Sequence, residues 1–219
     1  MRAIYKRELR SYFHSMIGYV FIAFLVAYTG IYFLAYNLNY GYPYFSYVLS
    51  GILFVYLVAI PILTMRCFAE DKKNKTDQML LTAPVSLFEI VLGKYLAMVA
   101  VFTIDIAIIA ITPLILSIFG TVPMGESYIS IFAFWLYGCA SIAVGMFISA
   151  LTESQVIAAV LSFVVLFVSY MMKGITGIIS SDGNVLTKIM NCFDIYSPFE
   201  KFAGCLLYTS PSPRDAHES

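Results

Sequence analysis

Apolar residues dominate this chain in long blocks separated by short polar breaks, and between His14 and Arg66 no charged residue occurs. That stretch is too long for one membrane helix of roughly 20 residues and suits two. Asn37, Asn39, Gly41 and Pro43 supply the break, which leaves Ile17 to Tyr36 and Phe45 to Thr64 as the first two spans. Tyr36, Tyr40, Tyr42 and Tyr44 cluster at the break, where amphipathic rings form an interfacial belt. Three further apolar blocks follow, Ile90 to Phe119, Tyr128 to Leu151 and Gln155 to Met172, so the pattern predicts five spanning helices. The third would be about 45 Å long at about 1.5 Å per residue, longer than a bilayer core, so its first turns should project from the membrane. Pro113 is placed to kink it.

Composition turns this pattern into a class. Hydrophobic residues make up 61% of the 219 positions, aromatics 16% and charged residues 12%. So much Phe, Ile, Leu and Tyr exceeds what a dry core of this size holds, and the excess needs a lipid solvent. The expected fold class is therefore all-α: a polytopic helical membrane protein with an amphipathic N-terminal interfacial helix and five transmembrane helices. Thirteen basic residues balance thirteen acidic ones, which argues against a nucleic-acid partner, since that class relies on a basic surplus. Cys67, Cys139, Cys192 and Cys205 are far apart and lack a nearby His, so they read as small apolar residues and no metal site is expected.

The position of the charges sets orientation. Arg2, Lys6, Arg7 and Arg10 precede the first span, and Arg66, Lys72, Lys73, Lys75 and Lys94 surround the loop between spans two and three. The positive-inside bias puts the N-terminus and this loop in the cytoplasm of a multi-pass plasma-membrane protein. At about 100° per residue, Tyr5, Leu9, Tyr12, Phe13 and Met16 share one sector, with Lys6, Arg7, Arg10 and His14 beside it. Such a helix lies in the interface, basic residues toward anionic headgroups; the alternative is that these residues are simply a frayed positive flank of span one.

The 66 to 94 loop carries two helix starts. Thr76 can N-cap a short helix with Asp77 in its first turn, Met79, Leu80 and Leu81 as apolar contacts, and Pro84 as its end. Ser86 and Glu89 form an S-x-x-E capping box flanked by Val85 and Ile90, so span three begins before the bilayer. A helix of so few residues is unstable alone in water and must pack on something, either its own protein's helix ends or a soluble partner. A second, smaller turn at Thr152, Glu153, Ser154 and Gln155 falls on the same side by alternation.

The order of the acidic and basic cluster, Thr76, Leu80-Leu81-Thr82, Pro84-Val85-Ser86, Glu89-Ile90-Val91 and Gly93-Lys94 resembles the coupling-helix region of ABC-2 type transporter permeases. The basic N-terminal helix, the turn Ser149 to Ala158 and the segment Tyr196 to Gly204 are similar to the branch that includes gliding-motility and copper-enzyme-maturation permeases. This likeness covers residues 1 to 204. It implies a permease that dimerises, with itself or with a second permease chain, and carries a separate ABC ATPase subunit on the cytoplasmic face of a bacterial-type plasma membrane. Export is the direction it suggests. ATP and Mg would bind on the partner chain; this chain has no GxxxxGK[ST] phosphate loop, and Gly93-Lys94 reads as an interfacial anchor. By the same likeness Thr76 to Leu81 would insert into the ATPase, with the 152 to 155 turn as a lesser contact. Two departures stand out: Lys75 occupies a position where the family usually has Gly, and the sixth span that the family places after the Phe202 region is expected to be lacking from a C-terminally truncated sequence. Residues 205 to 219, Ser/Pro-rich after an apolar body, are expected to be a non-native or disordered tail, and Leu-Leu-Tyr-Thr-Ser-Pro-Ser-Pro-Arg-Asp is similar to translated sequencing-adapter read-through.

Asp105 lies near the middle of span three, where an ionised carboxylate costs on the order of 3 kcal/mol, so it will not face lipid. Two placements are open: the transport pathway or dimer interface, or a hydrogen bond from a Ser, Thr or Tyr inside the bundle. Gly138, Ala140, Ser141, Ala143, Gly145 and Ser149 permit close helix approach in span four. A membrane-embedded enzyme would need a nucleophile with its base, or a His/Asp/Glu metal set, within the spans; His14 and His217 lie at the termini and Asp105 has no companion at helical spacing. The remaining alternative to a permease is a membrane anchor that recruits a cytoplasmic partner without transport.

Overall fold

The computed structural model describes residues 2–14, 16–39, 45–68, 87–119 and 124–179. Among them every regular element is a helix. In chain order these are α1 (Arg2–His14), α2 (Met16–Phe33) continuing into a wider π-helical turn (Leu34–Asn39), α3 (Ser46–Thr64), α4 (Leu87–Ile109), α5 (Thr112–Phe119), α6 (Met124–Leu151) and α7 (Gln155–Ile179). Three helical stretches are long and apolar enough to cross a membrane, Gly18–Asn37, Phe88–Ile118 and Met124–Leu151, and two shorter apolar ones accompany them, Val48–Thr64 and Gln155–Met171. These are the five apolar blocks of the sequence.

α3 is the centre of the bundle and packs on α2, α6 and α7, while α4 packs on α1, α2 and α6. Ile52, Leu53, Tyr56, Leu57, Ile60 and Leu63 of α3 are fully buried against Leu25 of α2, Met98 and Phe102 of α4 and Phe134 of α6. Glycines let the backbones meet. A Cβ at Gly51 would fall 2.5 Å from the Tyr32 ring of α2, and one at Gly138 would strike the Phe102 ring. At Gly145 it would strike the Thr64 hydroxyl. Of the small residues in α6, Gly138, Ser141, Gly145 and Ser149 form the buried stripe, whereas Ala140 and Ala143 are exposed. Spacing of three and four residues places that stripe on one helix face.

The third apolar block is divided into two helices. Pro113 has no N–H for the Ile109 carbonyl, and the Thr112 hydroxyl bonds that carbonyl instead at 2.6 Å. Helix α4 ends there and α5 continues after Ala110 and Ile111. On α2, Tyr28, Tyr32 and Tyr36 stack with ring centroids 5.0 and 5.7 Å apart, so Tyr36 extends an aromatic ladder along the helix. Tyr40, Tyr42 and Tyr44 lie outside the described residues.

Helix α7 is reversed relative to a soluble helix. Its buried face presents Ala158, Ser162, Leu166 and Ser169, while Val156, Ile157, Val160, Leu161, Val164, Val165 and Val168 are exposed. Water would penalise that arrangement and hydrocarbon favours it.

Candidate functional site

At the end of the bundle where α1 lies, four elements converge. Ser149, near the end of α6, accepts from the Phe68 backbone N–H at 3.2 Å and donates to the Met65 carbonyl at 3.4 Å. It thereby holds the chain leaving α3. Lys94, in the second turn of α4, donates to the Cys67 carbonyl at 2.8 Å. Its ammonium also lies 3.5 Å from Glu8 Oε1 of α1 and 5.3 Å from the Phe68 ring centroid. Lys94 is 3% exposed and Glu8 15%. The reading of Lys94 as an interfacial anchor is thus corrected: its head points into the protein, where one cation meets a carboxylate, a carbonyl and an aromatic face.

Helix α1 is fastened along its length. Leu9, Tyr12 and Phe13 pack on the core while Lys6, Arg7, Arg10 and His14 are exposed, as the helical periodicity requires. The Tyr12 hydroxyl reaches the Leu63 carbonyl at 3.5 Å, and a Cβ at Gly93 would lie 3.0 Å from Ile4 Cγ2. Gly18 allows the chain to fold back, since a Cβ there would sit 2.6 Å from the Tyr12 carbonyl oxygen.

Both roots of the 69 to 86 segment are therefore fixed to one another, to α1 and to α6. Thr76, Asp77, Met79, Leu80, Leu81, Pro84 and Ser86 lie in that segment and outside the described residues. Helix α4 begins at Leu87, with Glu89 in its first turn. At the second turn, the Thr152 hydroxyl donates to the Ile148 carbonyl at 3.2 Å, and the Ala158 N–H bonds the Ser154 carbonyl at 2.9 Å. Glu153 is exposed, and Thr152 and Gln155 are half-buried. Because Ser149 is one turn before Thr152, this turn stands beside the exit of α3.

Asp105 occupies a second polar point, in the middle of the bundle. It is 0% exposed, and the equally buried Tyr56 hydroxyl donates to its Oδ2. Phe102 and Phe134 meet the Tyr56 ring edge to face at centroid distances of 6.0 and 4.8 Å. Oδ1 has no hydrogen-bond partner among the described residues. Asp105 thus has a hydrogen bond from inside the bundle, with Tyr56 as donor.

Sequence reasoning passed over Glu8 and Tyr56, and read Ser149 as a small residue that permits close helix approach rather than as a hydrogen-bonding one. Glu8 left a signal: it is the one acid in a basic helix and lies at the edge of the apolar face, next to Tyr12 and Tyr5, where a buried cation is its natural partner. Ser149 and Tyr56 left none, because their partners are 84 and 49 residues away.

A bundle whose outer faces are apolar and whose buried faces carry glycine, serine and paired charges defines a polytopic helical membrane protein. The sequence matches the family model described as "ABC-2 family transporter protein" over residues 28–213. This protein belongs to that family and is a membrane transporter permease. Comparison with curated proteins and with solved structures returns no match.

Proposed function

We infer that this chain is the non-catalytic membrane subunit of an ABC-2 exporter, which forms the translocation pathway with a second permease copy or a related permease chain. A separate ABC ATPase, holding ATP and Mg, works it from the cytoplasmic side. The supporting observation is the braced end of the bundle, where Lys94 and Ser149 join the two roots of the 69 to 86 segment to α1 and α6. A load applied to that segment reaches α3 and α4 directly, as a lever requires. Thr76, Asp77, Met79, Leu80 and Leu81 are the docking residues of this reading, Pro84, Ser86 and Glu89 set the angle at which α4 receives the load, and Thr152, Glu153 and Gln155 make the lesser contact. Asp105, with one carboxylate oxygen unpartnered among the described residues, is its candidate for a pathway or interface contact.

The test is purification of the full chain from detergent with the co-expressed ATPase of a neighbouring reading frame. Stoichiometric recovery is expected, and its loss with normal membrane insertion is expected when Leu80 and Leu81 are both replaced by Asp. Unchanged recovery with that variant would sink the docking assignment.

A further inference from the structure

We propose that Lys94 is a positioning residue for coupling: through Glu8 it latches α1 to the stems of α3 and α4, so that these three helices respond to the ATPase as one body. The proposal rests on the function inferred above. Three observations carry it. First, Lys94 has partners on three sides, the Glu8 carboxylate at 3.5 Å, the Cys67 carbonyl at 2.8 Å and the Phe68 ring at 5.3 Å, and these belong to α1 and to the chain leaving α3. Second, the cation is almost wholly removed from solvent and its anion largely so. Breaking such a pair strands a charge, which makes the joint stiff against small displacements. Third, the next residue back permits the contact: Gly93 lets Ile4 of α1 come against the α4 backbone, so close that a Cβ there would lie 3.0 Å from Ile4 Cγ2.

The joint is local in chemistry and long-range in connection. Glu8 also meets Arg7 at 3.1 Å on the exposed side, so the carboxylate bridges the solvent-facing guanidinium and the buried ammonium. Freed from Lys94, Glu8 would turn outward to Arg7 and water. Helix α1 would then be held by its apolar contacts and the Tyr12 bond to Leu63.

The same geometry supplies a test. A Cβ at position 93 would lie 3.4 Å from Ile4 Cβ, close to the roughly 3.5–4.5 Å between Cβ atoms of a disulfide. The full chain with Ile4→Cys and Gly93→Cys is treated with a mild oxidant in membranes, and the cross-link between positions 4 and 93 is followed by mass spectrometry. Adding Lys94→Met or Glu8→Gln is expected to slow cross-linking several-fold. With the ATPase bound, Lys94→Met should leave co-purification intact and reduce the chain-dependent change in ATP turnover by roughly fivefold or more, the lower end of ordinary coupling energies. Oxidation of the cysteine pair in the Lys94→Met chain should restore that change, and reduction should remove it again.

Equal cross-linking rates with and without Lys94, or normal coupling in Lys94→Met, would overturn the latch. So would a formed cross-link that leaves coupling lost. Should Lys94→Met fail to accumulate, Glu8→Gln carries the test, since it leaves the Lys94 bond to Cys67 in place. Absence of any ATPase with the unaltered chain would instead refute the inferred function, and the cross-linking rates would still decide the latch.

Discussion

Tyr56 and Asp105, 49 residues apart in sequence, meet at the centre of the bundle as hydroxyl donor and carboxylate acceptor, and neither exposes any surface. The pair joins α3 to α4 in the interior, as Lys94 joins them at one end. Replacing Tyr56 by Phe keeps the ring contacts with Phe102 and Phe134 but leaves both carboxylate oxygens without a donor among the described residues. The expected loss is on the order of 1–3 kcal/mol, read as a lowered unfolding midpoint in detergent. Asp105→Asn retains an acceptor for Tyr56, so it should cost less than Tyr56→Phe. A larger loss for Asp105→Asn would contradict the pairing. Transport by a normally expressed Asp105→Asn chain reads the other role considered for this residue, and a loss there would assign it to the pathway.

Gly138 and Gly30 make a matched pair of tests. A Cβ at Gly138 has no space because the Phe102 ring is there, whereas at Gly30 nothing lies within 4 Å. Gly138→Ala should cost about 1–3 kcal/mol through overpacking. Gly30→Ala should stay within about 0.5 kcal/mol. Thermal unfolding of the two variants side by side checks the claim; equal midpoints would refute the close approach of α4 and α6.

Thr112 stands in for the hydrogen bond that Pro113 cannot make to Ile109. Thr112→Ala should destabilise by about 1 kcal/mol. In a Pro113→Ala chain the new backbone N–H reaches the same carbonyl, so the further change Thr112→Ala should be nearly neutral. A double-mutant cycle measures this, and additive effects would contradict it.

Ser149 caps the exit of α3 by accepting from the Phe68 N–H. Ser149→Ala should raise hydrogen exchange at the Phe68 amide on the order of fivefold, which corresponds to about 1 kcal/mol. Unchanged protection would show that this amide is held by something else.

The five apolar blocks were legible because a bilayer imposes a length and a polarity on each span, and both are local properties of the chain. The exposed and buried sides of α1 were legible from helical periodicity, and the division of the third block was foreshadowed by Pro113. Membership of a transporter class was also readable, from the ordered residues between Thr76 and Lys94. None of these required knowledge of what lies opposite a residue. Partner choice did require it. Lys94 as a buried cation, Glu8 as its anion, Ser149 as the brace of α3 and Tyr56 as the donor to Asp105 are all pairings across helices. Hydrophobicity fixes that a segment spans, but in a lipid solvent apolar surface alone does little to select one helix neighbour over another. The neighbours are selected by where a glycine lets backbones close and where a buried polar group finds its complement, and those coincidences exist only in three dimensions.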